Sequence, residues 1–322
     1  MKATLKTTFK NSFEEEVYNG LTSYPKFLSS KYFYDKKGDK LFQEIMALPE
    51  YYLTNCEMNV LTKYKQEITT FFKDANGFDL IELGAGDGTK TKVLLGEMMR
   101  KSYRFNFLPI DISHNVLEQL EKTLEKEFPG IQVKPQQGTY FDILDKLASY
   151  NTRKKVIMVL GSNIGNLLHP DAIVFLRKIR EAMSKKDLLF MGFDQKKNPQ
   201  TILDAYNDKT GVTEAFNKNV LVRINNEMDA NFNIDKFLHW EVYDPETGTA
   251  KSYLVSKEKQ AVDINELDLH IQFDEWETIH TEISQKYDHK TIAWLAEEAG
   301  LKVETSFTDD KEYYKNYIFS KK

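Results

Sequence analysis

The densest chemical signal in the chain runs from Asp79 to Lys92, Asp-Leu-Ile-Glu-Leu-Gly-Ala-Gly-Asp-Gly-Thr-Lys-Thr-Lys. Its apolar half, through Leu83, reads as a buried parallel strand. Gly84, Gly86 and Gly88 follow at spacings of two, and an amphipathic helical pattern opens at Thr89. A strand, a glycine-rich bend and a helix N-terminus together make a cradle for a nucleotide-like ligand. The acidic residues narrow that ligand. A dinucleotide fingerprint has the form G-x-G-x-x-G, with glycines clearing room for a pyrophosphate. Here Glu82 precedes the first glycine and Asp87 lies inside the loop. Both repel a pyrophosphate and suit a ligand bearing an ammonium and a sulfonium. Asp111 ends the apolar stretch Phe105–Ile110, roughly 20 or more residues after the glycines, where an acid can accept both ribose hydroxyls.

The elements that must position these residues follow in order. Ile131–Val133 starts a third strand. Val156–Leu160 is a fully apolar fourth that ends in Gly161-Ser-Asn-Ile-Gly-Asn166, and Leu188–Phe193 is a fifth. Helical patterns lie between them, one from about Pro170 to Met183, and strands alternating with helices argue for a doubly wound parallel sheet. The alternation stops at Asp194. Residues 199–230 read as helical, and Asp244-Pro-Glu-Thr-Gly248 is a hairpin turn between two strand-like stretches. Leu267–Phe273 and Ile279–Tyr287 continue this different character. From Asp288 a helix to Ala299, then strands at 301–306 and 317–320, complete a Rossmann-like fold. Upstream, Phe13–Leu21 and Asp39–Ala47 read as helices. Thr54 with Glu57 three residues on reads as a capping box for a helix carrying Val60, Leu61 and Tyr64. The expected fold is α/β: a Rossmann-like sheet over 57–196 plus 286–322, and a discontinuous α+β second domain over 10–56 plus 197–285.

At 322 residues the chain suits one large domain or two modest ones. With a net charge of −5 and both signs interspersed, no basic stripe marks a nucleic-acid surface. A single cysteine, Cys56, excludes internal disulfides and any cysteine-built metal site. The six histidines are scattered without metal-ligand spacing, so no metal is expected. No apolar run approaches ~18 residues and Met1–Asn11 lacks a signal-peptide core. The expectation is a soluble, cytoplasmic, monomeric protein with no membrane or nucleic-acid partner.

The run Glu-Leu-Gly-x-Gly-x-Gly resembles motif I of the class I S-adenosylmethionine-dependent methyltransferases. Further segments carry a narrower resemblance: Lys-Tyr-Phe-Tyr-Asp-x-x-Gly (31–38), Leu-Pro-Glu-Tyr-Tyr-x-Thr (48–54), Gly-Ser-x-Ile-Gly-Asn-Leu (161–167), Ala-Tyr-Asn-Asp-x-x-Gly-Val-Thr-x-Ala-Phe-Asn (205–217) and His-Thr-Glu-Ile-Ser-x-Lys-Tyr (280–287). Together they resemble the L-histidine Nα-methyltransferase family of ergothioneine biosynthesis over roughly residues 10–320. The resemblance implies S-adenosylmethionine as cofactor and an amino acid as substrate. It assigns Gly84, Gly86 and Lys92 to the cofactor's methionine part, Asp111 to its ribose, and Thr139 and Tyr140 to its adenine, where relatives usually have Gly-Asp-Phe; Glu82 is counted with the cofactor-binding residues. On the substrate side Tyr34 approaches the α-amine, Asn166 holds the amine and carboxylate, and Tyr206 binds the carboxylate. Tyr51, Glu282 and Ser284 contact the imidazole, and Tyr34 and Asn166 are the catalytic pair. Chemistry agrees: Asn166 offers an acceptor and two donors, while Glu282 as an anion can accept an imidazole N–H. Ser252 stands where relatives tend to carry Met, and Leu53 where they have Pro. The implied reaction is displacement at the sulfonium methyl by a neutral amine, three times over to hercynine. Alternatives are an N-methyltransferase of another amino acid or small amine, such as a tryptophan-like one, or a non-catalytic cofactor-binding homologue.

Overall fold

The computed structural model describes residues 9–112, 114–139, 143–146 and 153–322. Tyr140, which the resemblance assigns to the adenine, lies outside them. The described chain divides into two compact units, one of residues 53–196 and 285–322 and the other running to Tyr52 and over 197–284.

The first unit is built on an eight-stranded sheet. Its main strands in chain order are Phe78–Leu83, Phe105–Asp111, Gln132–Val133, Lys154–Val159, Leu188–Asp194, Leu301–Thr308 and Tyr314–Lys321. Across the sheet they run third, second, first, fourth, fifth, seventh, sixth, and the short Gln136–Gln137 pairs with the second. The first five are mutually parallel, and the seventh lies antiparallel between the fifth and the sixth. This is a Rossmann-like α/β fold. Burial on both faces explains its apolar strands. Phe78, Leu80, Phe107, Val156, Met158 and Phe190 pack with Val60, Leu61, Leu94, Leu95 and Leu124 of the helices Tyr52–Phe72, Thr91–Arg100 and His114–Glu127. The alternate residues Ile81, Leu83, Ile157, Val159 and Leu189 pack with Phe175, Ile179, Ile292 and Leu295 of His169–Ala182 and His289–Glu298. Such two-sided strands read as continuous hydrophobic runs. Strand order reverses between the first and fourth strands, and the crevice outside their carboxyl ends is where this architecture binds ligands.

One sequence expectation changes here. Thr54 caps no helix start, because the helix begins at Tyr52 and encloses both Thr54 and Glu57. The apolar residues Tyr52 and Leu53 are buried, so packing extends the helix past the polar signal, as tertiary contacts routinely do.

The second unit carries a four-stranded sheet, Lys26–Phe27, Thr278–Gln285, Thr249–Ser256 and Phe237–Asp244 in spatial order, and a separate hairpin of Gln260–Ile264 with Leu269–Phe273. The turn at 244–248 closes the pair Phe237–Asp244 and Thr249–Ser256, with Gly248 at φ +77° and its N–H on Asp244 O at 2.8 Å. The stretch read as helical from 199 forms two helices, Pro199–Tyr206 and Val212–Met228. Asp208 starts the latter by accepting the N–H groups of Val212 and Thr213 at 3.2 and 2.8 Å. Burial opposes ionisation of Asp208, yet hydrogen bonds from Thr210 and Thr213 hold its carboxyl down to about 2. Phe13, Val17, Phe33, Phe216, Val220, Phe237, Leu254 and Ile279 make this unit's core.

Candidate active site

The glycine loop takes shape from main-chain conformation. Gly84, Gly86 and Gly88 have φ of +75°, +54° and +67°, a region open to glycine and costly for other residues. Gly84 and Ala85 hang their N–H groups on Ile110 O at 2.9 and 3.2 Å, which fixes the bend to the end of the second strand. A side chain on Gly88 would run into Leu120. Beside Gly86 the position of a Cβ is open for 4 Å, and its N–H donates to Asp111 Oδ2 at 3.3 Å. Loop and acid are therefore joined.

Glu82 sits beneath the loop, buried, with Oε1 accepting from Thr91 Oγ1 at 2.5 Å. Its Oε2 has no partner among the described residues. Burial pushes this carboxyl up to about 8, against the hydrogen bond from Thr91 and the charge of Lys90. An unsatisfied buried carboxyl oxygen is expensive, and a ligand cation is one way to satisfy it.

The two lysines of the loop part company. Lys92 pairs with Glu127 at 3.0 Å on the helix surface. Lys90 instead reaches Glu57 Oε2 at 2.6 Å, and a Cβ on Gly161 would lie 3.3 Å from its Nζ. The sequence gives Lys90 no role, and it marks Glu57 only as part of a helix cap. Lys90 is one residue among several polar ones after the glycines, and Glu57 looked like a cap. Thr139 is exposed and follows Gly138, whose N–H bonds Asp111 O at 3.1 Å.

At the end of the fourth strand, Gly161 and Ser162 both have positive φ, +77° and +57°. A serine in this region marks a strained turn of the kind that clusters at functional sites. The turn leads into the 3-10 segment Asn163–Asn166, which leaves Asn166 exposed. Its supports are buried. Ser162 Oγ accepts the Asp194 N–H at 2.9 Å, Tyr287 Oη donates to Ile164 O at 3.1 Å, and Lys286 pairs with Asp194 at 2.8 Å.

In the other unit, side chains from distant segments meet. Tyr206 Oη and Ser284 Oγ share a hydrogen bond of 2.7 Å. The Tyr51 ring lies edge-on to Tyr206 and to Phe42, each at 6.3 Å. Phe42 and Phe216 in turn hold the exposed ring of Tyr34 at 5.5 and 5.3 Å. Tyr34, Tyr51, Tyr206 and Ser284 thus form one connected series through Phe42 and Phe216, of which Phe42 lies outside the sequence motifs. Glu282 is half-buried, and its carbonyl accepts from His280 Nε2 at 3.1 Å. Ser252 is buried and donates to Glu241 Oε2 at 2.6 Å across the strand pair. Nothing in the spacing pointed to Glu241.

Among the described residues, no group of three or more His, Cys, Asp or Glu is placed to hold a metal ion, and no helix is long and apolar enough to cross a membrane. An adenosine-type ligand with a cationic amino-acid tail fits the first unit: open space at Gly86, the acid Asp111 hydrogen-bonded to that loop, and the partnerless oxygen of Glu82. Fold and loop together define an S-adenosylmethionine-dependent methyltransferase.

Comparison with known proteins narrows the class. A family model described as histidine-specific methyltransferase, SAM-dependent, matches residues 13–321, and the chain belongs to that family. It is 34% identical to a histidine N-alpha-methyltransferase of Mycolicibacterium smegmatis, over 92% of this chain and 91% of that protein. It is 31% identical to ergothioneine biosynthesis protein 1 of Neurospora crassa, over 90% of this chain and 32% of that longer protein. A 4-dimethylallyltryptophan N-methyltransferase of Epichloe festucae var. lolii is 26% identical, over 94% and 93%.

Proposed function

We propose that the protein methylates the α-amino group of L-histidine, three times in succession to give hercynine, as a step in ergothioneine biosynthesis. The observation that carries this reading is the family match across nearly the whole chain, coupled with a glycine loop whose Gly86 faces open space beside Asp111. S-adenosylmethionine, when bound, supplies an electrophilic methyl on a sulfonium.

The residues of this chain do the rest by holding and orienting. Gly84, Gly86, Glu82 and Asp111 hold the cofactor, and Lys90, whose Nζ lies beside Gly161 at the crevice, suits its carboxylate better than Lys92, which lies beside Glu127 on the helix surface. Thr139 stands next to the adenine position. Asn166 holds the amine and carboxylate of the amino acid, Tyr206 the carboxylate, and Glu282, Ser284 and Tyr51 the imidazole. The Tyr206–Ser284 hydrogen bond supports a rigid binding surface, because a shared hydroxyl pair fixes both rotamers. The amine attacks only when neutral, and its proton leaves to solvent through a chain of water or by way of Tyr34, whose hydroxyl passes its own proton on as it accepts one. Alignment of amine, methyl and sulfur supplies most of the rate. Ser252, tied to Glu241, leaves a more polar and less bulky contact than Met. We assign the cofactor to the unit of 53–196 and 285–322, and the imidazole contacts to the other.

The test is mass spectrometry of histidine, tryptophan, tyrosine and dimethylhistidine incubated with enzyme and S-adenosylmethionine. Mass gains of up to three methyl groups on histidine are expected. Methylation of tryptophan with histidine untouched would move the protein to the second reading, an N-methyltransferase for another amino acid.

A further inference from the structure

Glu57 is fully buried, yet the reading above gives it no task. Its carboxylate gathers three elements of one unit. Oε2 accepts from Lys90 Nζ at 2.6 Å and from the Gly161 N–H at 2.8 Å, while Oε1 accepts from Asn316 Nδ2 at 2.9 Å. Lys90 begins the helix after the glycine loop, Gly161 follows the fourth strand, and Asn316 lies in the seventh. One carboxylate oxygen therefore ties together the two lips of the crevice at which the strand order reverses, where ligands of this architecture sit. The sheet makes room for it: a Cβ on Gly192 would lie 2.5 Å from Glu57 Oε1.

The arrangement has a direction. Glu57 contributes no exposed side-chain surface, while the Lys90 side chain is 24% exposed. An ammonium has three donors, and one of them is spent on Glu57. The carboxylate anchors Lys90 from below and leaves its remaining donors to an anion arriving from solvent. We infer that Glu57 is a positioning residue for the amino-acid end of the cofactor. It fixes the Lys90 ammonium and the Gly161 main chain in the places from which they grip a carboxylate and its neighbouring amine. This inference rests on the cofactor assignment made above.

Two ligands separate this role from a purely structural one. S-adenosylhomocysteine carries the amino-acid tail, and 5′-methylthioadenosine shares the nucleoside and thioether but lacks the tail. Binding of each is measured by titration calorimetry to wild type, Glu57→Gln, Lys90→Gln and the double variant, with melting temperatures recorded alongside. Glu57→Gln is expected to weaken S-adenosylhomocysteine roughly tenfold to a hundredfold, the range for a hydrogen-bonded charge. Methylthioadenosine should stay within about twofold. Lys90→Gln, at a partly exposed position that keeps a donor toward Glu57, is expected to show the same pattern, and the double variant less than the product of the two losses. Equal weakening of both ligands, or unchanged S-adenosylhomocysteine affinity in folded Glu57→Gln, would overturn the inference. If Glu57→Gln does not fold, an unchanged tail preference in Lys90→Gln overturns it. Failure of wild type to bind either ligand would instead remove the cofactor assignment beneath it.

Discussion

In residues 53–196 and 285–322, the candidate site is placed by the main chain: three glycines at positive φ, a strained Ser162, and N–H groups pinned to strand ends. In residues 9–52 and 197–284, the candidates are placed by side chains from separated segments, a hydroxyl pair at Tyr206 and Ser284 and a series of aromatic edges from Tyr34 to Tyr51. A site placed by the main chain admits little change in backbone conformation, whereas one built by side chains from separated segments depends on the identity of each. Each unit also holds a strongly shifted titratable group. One unit keeps an acid neutral at Glu82, and the other keeps a base neutral at His239, which is buried with Nε2 unpartnered among the described residues.

The largest effect should come from Glu82. Its folded pKa, about 8, lies above the ordinary 4.5, so below pH 4.5 folded and unfolded chains both hold the proton. As pH rises toward 8 the unfolded chain releases it first, and stability falls by about 1.4 kcal/mol per pH unit. Denaturant unfolding at pH 5 and pH 8 should show Glu82→Gln gaining roughly 4 kcal/mol on wild type across that window. Parallel pH profiles would dissolve the contrast between the units.

His239 runs the other way. Burial lowers its pKa from 6.5 to about 4, with Glu214 and Asp208 opposing and Lys218 adding. The unfolded chain takes up a proton below pH 6.5 that the folded chain refuses, so stability is lost as pH falls from 6.5 to 4, by about 3 kcal/mol in full. His239→Gln should flatten the acid limb of the unfolding profile, and an unaltered limb would mean that other groups govern it.

Gly86→Val sharpens the comparison at the loop. The substitution forces a branched residue to φ +54° and fills the open space. S-adenosylhomocysteine binding by calorimetry should weaken about a hundredfold, more than folding stability suffers, since the strain is on the order of 1–2 kcal/mol. Smallest is Ser284→Ala, expected to weaken histidine binding about tenfold, the worth of one hydrogen bond, with S-adenosylhomocysteine affinity unmoved. Equal loss for both ligands would erase the division of labour.

These differences explain what was legible in the chain. The sheet could be read because its strands are buried on both faces and so are apolar throughout, as at Phe78–Leu83 and Lys154–Val159. The glycine loop could be read because few residues other than glycine accept its φ values. The family resemblance, and not spacing, drew attention to Tyr206 and Ser284, whose hydroxyls meet from 78 positions apart. Lys90 and Lys92 look alike in sequence, and only the helix geometry sends one to Glu57 and the other to Glu127. Glu57 misled because a Thr and a Glu three apart form a cap only where a helix begins, and buried Tyr52 and Leu53 start this one earlier. Glu241 left no trace, since an alternating strand does not reveal which polar residue faces inward.

Gly192, in the strand Leu188–Asp194, has no side chain to offer any reaction, but its lack of one is what admits the Glu57 carboxylate beside Tyr314. Alanine is one base change away from glycine in the genetic code and adds a single carbon. Here that carbon would displace a buried anion from three donors at once, and uncompensated buried charge is among the costliest changes a fold can suffer. A single base change at this buried codon would thus act on the fold itself, through a residue that brings no chemistry of its own.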